Sequence, residues 1–170
     1  MSRSLATATA LKNDMCASAQ ITASITSILM QRQNYSLARR PMIFNRKMRI
    51  LYVDDNADCC AMLSTLLEYS RIETQAANSA VQALSAMQAQ RFDMYLLEAW
   101  LPVINGFELC RRMRNADADT PIVFFSSAAY EGDKKRGLAS GANAYVNKPQ
   151  IEALLGTIAE YVPQSNGSVA

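Results

Sequence analysis

Three acids, a hydroxyl and an amine stand immediately after short apolar runs in this sequence. Asp54 and Asp55 follow the run RILYV, and Glu98 follows the run MYLL. Ser126 follows IVFF, and Lys148 follows AYVN. Short apolar runs bounded by polar residues indicate strands, and the carboxyl ends of the strands in an open parallel sheet converge on one crevice. The spacing therefore predicts a single site built from these five side chains.

The three acids predict a cation site. Asp54, Asp55 and Glu98 would bring three carboxylates into one crevice, and crowded like charges are costly unless a cation or a proton neutralises them. Oxygen ligands with positions left for water suit Mg²⁺, so magnesium is the expected cofactor. The alternative is that Asp54 or Asp55 only caps the helix that follows the first strand.

The amine and the hydroxyl predict an anion in the same crevice. Lys148, at a strand end facing carboxylates, supplies a point charge suited to a phosphoryl group or a carboxylate. Pro149 restricts Lys148 to an extended backbone. Ser126 is expected to donate a hydrogen bond to that anion, with Ser127 as the alternative if the register is shifted by one residue. The alternative for Lys148 is a solvated lysine that precedes a helix.

The elements that position these residues alternate between strands and helices. Apolar runs predict strands at 49–53, 72–76, 94–97, 121–125 and 144–147. Helical spacing predicts one helix that is capped by Asn56 or Asp58, and four more at 79–89, 106–114, 133–140 and 151–162. This alternation predicts an α/β fold, a doubly wound five-stranded parallel sheet with five helices. In the flavodoxin-like strand order 2-1-3-4-5, the acids meet at the switch point between the first and third strands.

Composition divides the 170 residues into three parts. Residues 1–47 are basic, rich in serine and poor in acids, which is typical of a transit peptide or a disordered arm. The equally weighted alternative is that the true start is Met42 or Met48. Residues 48–163 are expected to form one folded domain, and residues 164–170 a frayed tail. The net charge of +2 originates in the first part, so it does not predict nucleic-acid binding by the folded domain.

Cysteine and histidine content narrows the class of protein further. The chain has four cysteines without CxxC spacing and no histidine, which argues against a zinc site. Adjacent Cys59 and Cys60 on a predicted helix cannot easily bridge to each other, so a reducing, cytoplasmic location is expected. The sequence contains no apolar stretch of about 18 residues, so no segment is predicted to span a membrane.

From residue 49 to residue 162 the sequence resembles the receiver domain of two-component response regulators. Four motifs carry the resemblance, in the order and at the spacing that the family has. They are ILYVDDN at 50–56, FDMYLLEAWLPVING at 92–106, PIVFFSS at 121–127 and GANAYVNKP at 141–149. The resemblance implies a signalling module of phosphorelay pathways rather than an enzyme.

The resemblance also implies roles for the site residues. In the family an acidic pair binds Mg²⁺, and an Asp that ends the third strand accepts a phosphoryl group from a histidine kinase. These roles fall on Asp54 and Asp55 and on the position of Glu98, and the backbone carbonyl of Trp100 becomes a further metal ligand. The residues that contact the phosphoryl group or reorient beside it are Ser126, Lys148 and Tyr145. Packing alone is the alternative for the tyrosine.

Glu98 departs from the family, which has Asp at the phosphoacceptor position. Its carboxylate lies one methylene further out, and misplacement of about 1 Å can cost ~10²-fold in rate. Transfer to Glu98 is therefore expected to be poor or absent, and Mg²⁺ binding weakened. The longer arm is expected to reach Lys148 and Ser126, imitating a phosphoryl group with one negative charge instead of about two. The alternatives are weak residual phosphotransfer, or a tolerated substitution in a domain that still binds Mg²⁺ weakly and never switches.

The expected function is that of a stand-alone receiver domain that acts by binding a partner protein. The sequence after residue 162 offers no output domain, so partners are expected to be a histidine kinase or phosphotransfer protein and a downstream signalling protein. The fourth helix, fifth strand and fifth helix are the expected docking surface, and homodimerisation is left open. A flavodoxin-like nucleotide-binding enzyme is the alternative, which the lack of a Gly-rich loop after the first strand opposes. Nucleic-acid binding through the basic arm would rest on charge alone.

Overall fold

The structure is a computed structural model that describes residues 48–161. The predictions for residues 1–47 and 164–170 lie outside the described residues, and the domain boundaries stay predictions. Within the described part, no helix is long and apolar enough to cross a membrane. Its cysteines, Cys59, Cys60 and Cys110, are buried thiols.

Strands and helices alternate through the described residues as the sequence predicts. The strands are β1 (Met48–Val53), β2 (Ile72–Ala77), β3 (Met94–Leu97), β4 (Ile122–Ser126) and β5 (Ala144–Asn147). The helices are α1 (Ala57–Glu68), α2 (Ala80–Ala89), α3 (Gly106–Ala116), α4 (Glu131–Ala139) and α5 (Ile151–Tyr161). The bounds of β3 and β5 are those predicted, and the other bounds differ by a few residues.

The five strands form one parallel sheet in the order β2-β1-β3-β4-β5, which confirms the predicted flavodoxin-like topology. Val53 pairs with Leu97, so Asp54 and Glu98 leave their strands at the same level. The ladder continues one step further, because the N–H of Glu98 donates to the carbonyl of Val53 at 2.8 Å. Parallel register therefore delivers both acids to the carboxyl edge of the sheet.

Asn56 caps α1, which leaves the two aspartates before it available for other contacts. The side-chain oxygen of Asn56 accepts from the backbone N–H of Asp58 at 3.0 Å and of Cys59 at 3.1 Å. These bonds satisfy amide groups that the first helical turn would otherwise leave unpaired. The alternative that Asp54 or Asp55 serves only as the helix cap is therefore wrong.

Helix α4 begins two residues before its predicted start. The carbonyl of Tyr130 accepts from the backbone N–H of Asp133 at 3.0 Å and of Lys134 at 3.2 Å, although the Tyr130 side chain makes no capping bond. Glu131 and Asp133 lie in this first turn, where negative charge interacts favourably with the helix dipole. The early start has no apolar signature, which explains why hydrophobic periodicity places it later.

Strand β4 is buried along its whole length. This agrees with the expectation for a central strand that helices cover on both faces. Its last residue, Ser126, is 0 % exposed and belongs to the strand instead of following it. The aromatic rings of Phe124 and Phe125 are among the largest fully buried side chains. The buried apolar residues of β4 thus fix the position of Ser126 at its end.

Candidate functional site

Asp54 extends β1 by one residue, and its carboxylate is almost completely buried. Its backbone N–H donates to the carbonyl of Ala77 at 3.1 Å. Oδ1 accepts from the N–H of Asn56 at 2.9 Å. Oδ2 accepts from the hydroxyl of Tyr52 and from Nζ of Lys148, the latter at 2.5 Å. Both oxygens of this acid therefore have protein donors.

Glu98 follows β3 and folds its carboxylate back over its own loop. Oε1 accepts from the backbone N–H of Ala99 at 2.8 Å and of Trp100 at 3.3 Å, and also from the hydroxyl of Ser126. Oε2 accepts from Nζ of Lys148 at 2.8 Å. Glu98 as a whole is 7 % exposed. One carboxylate thus engages the serine, the lysine and two loop amides together.

Lys148 stands between the two acids. Its side chain is 4 % exposed, and its ammonium makes ion pairs with Asp54 and Glu98. Burial by itself would lower the pKa of Lys148, but the charges of Glu98 and Asp54 outweigh it and raise the pKa above its usual value. The backbone N–H of Lys148 donates to the carbonyl of Ser126 at 2.9 Å, which fixes the base of the side chain. The alternative of a solvated lysine is wrong.

Two aromatic rings complete the surroundings of the lysine. The Lys148 ammonium lies 5.9 Å from the ring centroid of Tyr52 and 5.7 Å from that of Phe125, within the range of a cation–π interaction. Burial, and then the charge of Asp54, raise the pKa of Tyr52 well above its usual value, so the hydroxyl remains a donor at neutral pH.

Sequence reasoning missed Tyr52 and Phe125 as site residues, because aromatic residues within apolar strands read as core. One signal pointed to Tyr52. It precedes Asp54 by two residues in β1, and side chains two apart in a strand share a face. No comparable pattern marked Phe125.

Ser126 contributes the hydroxyl to the site, and Ser127 does not. Its Oγ donates to Oε1 of Glu98 and accepts from the N–H of Ala128 at 3.1 Å. The register therefore matches the first of the two alternatives. The anion that Ser126 meets in this structure is the carboxylate of Glu98.

Tyr145 on β5 packs against the core, and both its ring and its hydroxyl make contacts. Its ring stacks on Phe124 with the centroids 5.4 Å apart. Its hydroxyl donates to the carbonyl of Ala128 at 2.7 Å. Burial raises the pKa of Tyr145 to about 12. A switching role for Tyr145 stays a prediction.

The predicted metal ligands do not form a cation site in this structure. Asp55 is exposed, whereas Asp54 and Glu98 are buried around Lys148. The backbone N–H of Trp100 donates to the Glu98 carboxylate at 3.3 Å. Across residues 48–161, no group of three or more acidic, cysteine or histidine side chains is arranged to hold a metal ion. The ammonium of Lys148 lies between two of the three predicted carboxylates, so the donor set as arranged does not fit Mg²⁺.

The N-terminus of α3 approaches the site so closely that its first residue must be glycine. A Cβ on Gly106 would lie 2.0 Å from the carbonyl oxygen of Glu98 and 3.0 Å from Cα of Ala99. The N–H of Gly106 donates to the carbonyl of Ala99 at 2.9 Å. The loop after β3 is therefore pinned against α3, which orients the Glu98 backbone.

The strand order, the flanking helices and the polar groups at the carboxyl edge define the flavodoxin-like class of α/β domain in its CheY-type form. The chain belongs to the response regulator receiver domain family, whose family model matches residues 50–159. Receiver domains are signalling modules that interact with kinases or phosphotransfer proteins, and they generally bind Mg²⁺ at the phosphorylation site.

The relatives of known sequence include a protein named as a DNA-binding response regulator and one named as a transcriptional regulatory protein. The chain is 39% identical over 103 residues to the DNA-binding response regulator MtrA of Mycolicibacterium paratuberculosis, covering 61% of this chain and 45% of MtrA. It is 34% identical over 113 residues to the transcriptional regulatory protein YkoG of Bacillus subtilis, covering 66% of this chain and 50% of YkoG. The chain thus spans about half the length of these relatives. Because MtrA is named as DNA-binding, the expectation of no direct nucleic-acid contact finds no support here.

Solved structures give the same fold. The chemotaxis protein CheY4 of Vibrio cholerae superimposes with a TM-score of 0.65 at 29% identity, covering 69% of this chain and 100% of that one. A CheY-like receiver domain protein from Methanospirillum hungatei gives a TM-score of 0.64 at 27% identity, covering 68% and 93% of the two chains.

Proposed function

We propose that this chain is a receiver module that signals in a two-component pathway by binding a partner protein, without phosphorylation at Glu98. The observation that supports this function is the double engagement of one carboxylate. Glu98 accepts hydrogen bonds from the hydroxyl of Ser126 and the ammonium of Lys148. The family uses these two positions to contact a phosphoryl group.

Phosphoryl transfer to Glu98 is disfavoured by geometry. A carboxylate nucleophile must present a free oxygen in line with the phosphorus atom. Oε1 of Glu98 has three donors and Oε2 has the lysine, so both oxygens are already engaged by protein donors. An offset of about 1 Å from the productive position can cost ~10²-fold in rate.

The same contacts support a permanently engaged site. A phosphoryl group would carry about two negative charges and would be held by the serine and the lysine. The Glu98 carboxylate supplies one negative charge to the same donors. We propose that this substitution holds the domain in one signalling state, as a scaffold or a constitutively active receiver.

Helix α4, strand β5 and helix α5 are the proposed partner surface. Tyr145 links this surface to the site, because its ring stacks on Phe124 and its hydroxyl bonds the loop after β4. Exposed residues of α4 include Lys135 and Leu138, the latter 50 % exposed. This mixture of a cation and an apolar side chain suits a partner that presents both acidic and apolar groups.

Labelling with acetyl phosphate and Mg²⁺, read by intact mass, tests the proposed function. The unaltered chain is expected to gain no phosphoryl adduct, since its acceptor oxygens are engaged. Glu98→Asp, which shortens the arm by one methylene, is expected to restore labelling. Glu98→Gln is the matched control, because it keeps the length and removes the nucleophilic charge. A stoichiometric adduct on the unaltered chain would refute phosphorylation-independent signalling and favour the weak-transfer alternative.

A further inference from the structure

Four side chains lie around the ammonium of Lys148. Asp54 and Glu98 contribute carboxylate oxygens at 2.5 and 2.8 Å. Tyr52 and Phe125 contribute ring faces at 5.9 and 5.7 Å. All of these side chains are buried, and the lysine side chain is itself 4 % exposed. The arrangement is a closed cage for one cation.

We propose that Lys148 is the permanent cation of this site, and that the cage of Asp54, Glu98, Tyr52 and Phe125 closes the site to divalent cations. The inference deepens the proposed function, since it explains how the same pocket dispenses with Mg²⁺. It makes the domain independent of both the metal and the phosphoryl donor.

Every carboxylate oxygen of Asp54 and Glu98 already accepts a hydrogen bond while the lysine stays in place. Mg²⁺ requires oxygen ligands at about 2.0–2.1 Å in octahedral geometry. Oδ2 of Asp54 and Oε2 of Glu98 both bind the ammonium, and the other oxygen of each acid binds backbone N–H groups. A divalent ion that binds Oδ2 of Asp54 or Oε2 of Glu98 must therefore compete with a buried ammonium of like sign.

Satisfied hydrogen bonds stabilise the cage without a metal. A buried ion pair is tolerated when the remaining lone pairs and protons have partners. One ammonium offsets one of the two carboxylates. The hydroxyls of Tyr52 and Ser126 and the backbone N–H groups of three residues share the remaining negative charge. The pocket therefore has no need of a second cation.

Tyr52 acts as a positioning residue in this cage. Its hydroxyl donates to Oδ2 of Asp54, the same oxygen that binds Lys148, while its ring flanks the ammonium. Tyr52 is 0 % exposed, so packing fixes its orientation. Removing the hydroxyl alone would keep the ring in place but remove the hydrogen bond from Tyr52 to Asp54, which helps to orient Asp54 toward the lysine.

A Mg²⁺ titration followed by the fluorescence of Trp100 tests the cage. Trp100 is the single tryptophan of the chain, and its backbone N–H donates to the Glu98 carboxylate at 3.3 Å, so a change at that carboxylate is expected to alter the surroundings of its ring and its emission. The unaltered chain is expected to show no saturable change at millimolar Mg²⁺. Lys148→Ala is expected to bind Mg²⁺ at least about tenfold more tightly, because two buried carboxylates lose their cation. Lys135→Ala, which removes an exposed lysine of α4, is the matched control.

A second pair of variants isolates the role of Tyr52. Tyr52→Phe is expected to acquire a Mg²⁺-dependent change in Trp100 emission, because Asp54 loses one of its donors. Tyr95→Phe is the matched control, since it removes a tyrosine hydroxyl that donates to Asp117 at 2.9 Å outside the cage. An unaltered response in Tyr52→Phe would remove Tyr52 from the proposed cage.

Two outcomes would overturn the proposal. Saturable Mg²⁺ binding by the unaltered chain below millimolar concentration would show that the cage is open. A folded Lys148→Ala variant that ignores Mg²⁺ would show that the lysine is not what excludes the ion. If Lys148→Ala fails to fold, the Mg²⁺ titrations of the unaltered chain and of Tyr52→Phe still test the cage. The Mg²⁺ titration contains no phosphoryl donor, so Mg²⁺ binding by the unaltered chain in that experiment refutes the cage alone. A phosphoryl adduct on the unaltered chain in the acetyl phosphate experiment refutes the proposed function.

Discussion

At the scale of single residues, the one methylene group by which Glu98 is longer than aspartate accounts for the chemistry that we propose. Glu98 reaches the serine and the lysine that would otherwise hold a phosphoryl group. Its own loop amides hold the carboxylate in that position. The Lys148 side chain is only 4 % exposed, so its ammonium is not solvated in place of these contacts. Shortening or neutralising this one side chain is therefore expected to change the site more than any change at its periphery.

Tyr145 gives a second prediction at this scale, through its titration. Burial raises the pKa of Tyr145 from 10.0 to about 12, so its neutral hydroxyl stabilises the folded state. This contribution is fully present below the unfolded pKa and is lost as the pH rises through the folded pKa.

Tyr145→Phe is therefore expected to be less stable by on the order of 1 kcal/mol at neutral pH, because it loses the bond to the Ala128 carbonyl. The gap between the two proteins is expected to narrow between about pH 10 and about pH 12. Urea unfolding across this range measures it. A gap that stays constant would contradict the folded role of the hydroxyl.

At the scale of elements, the close approach of α3 to the end of β3 orients Glu98. Gly106 leaves no room for a Cβ, which would lie 2.0 Å from the Glu98 carbonyl oxygen. Gly106→Ala is expected to destabilise the fold by about 1–3 kcal/mol, because backbone atoms and not a flexible side chain must move.

Gly156→Ala in α5 is the matched control. Nothing lies within 4 Å of a Cβ placed there, so alanine is expected to stabilise the helix by about 0.5–1 kcal/mol. Urea unfolding of both variants measures the two effects. Equal responses at the two glycines would contradict the proposed packing of α3 on the Glu98 loop.

Most elements could be predicted from the sequence, and the exceptions have physical causes. Strands β3 and β5 match their predicted bounds because polar residues flank both apolar runs. Helix α4 starts early, since backbone bonds to the Tyr130 carbonyl replace a capping side chain. Periodicity does not detect such a start.

The site could be predicted only in part. Register brought Asp54, Glu98, Ser126 and Lys148 together as expected. The sequence also indicated that Glu98 reaches Ser126 and Lys148, but not that Lys148 neutralises Asp54 as well. Lys148 bonds acids that lie 94 and 50 residues away in the chain, and it lies between them where the sequence predicted a metal ion. Local patterns carry no information on the long-range pairing of Lys148 with Asp54.

At the scale of the whole molecule, the charge cluster ties three strands of the sheet together. Asp54 follows β1, Glu98 follows β3 and Lys148 follows β5. The partner surface that we propose is built on β5 and its neighbouring helices. A cluster that fixes the end of β5 therefore holds this surface in one arrangement, which is what phosphorylation-independent signalling requires.

The coupling energy between Glu98 and Lys148 tests this account most directly. A double-mutant cycle with Glu98→Gln, Lys148→Met and their combination measures it by urea unfolding. We predict a coupling of about 2 kcal/mol or more, because the pair is buried. The exposed pair of Glu131 and Lys134, 2.9 Å apart in α4, is the control and should give about 0.5 kcal/mol or less. Equal, weak coupling in both pairs would contradict a lysine caged between the two acids.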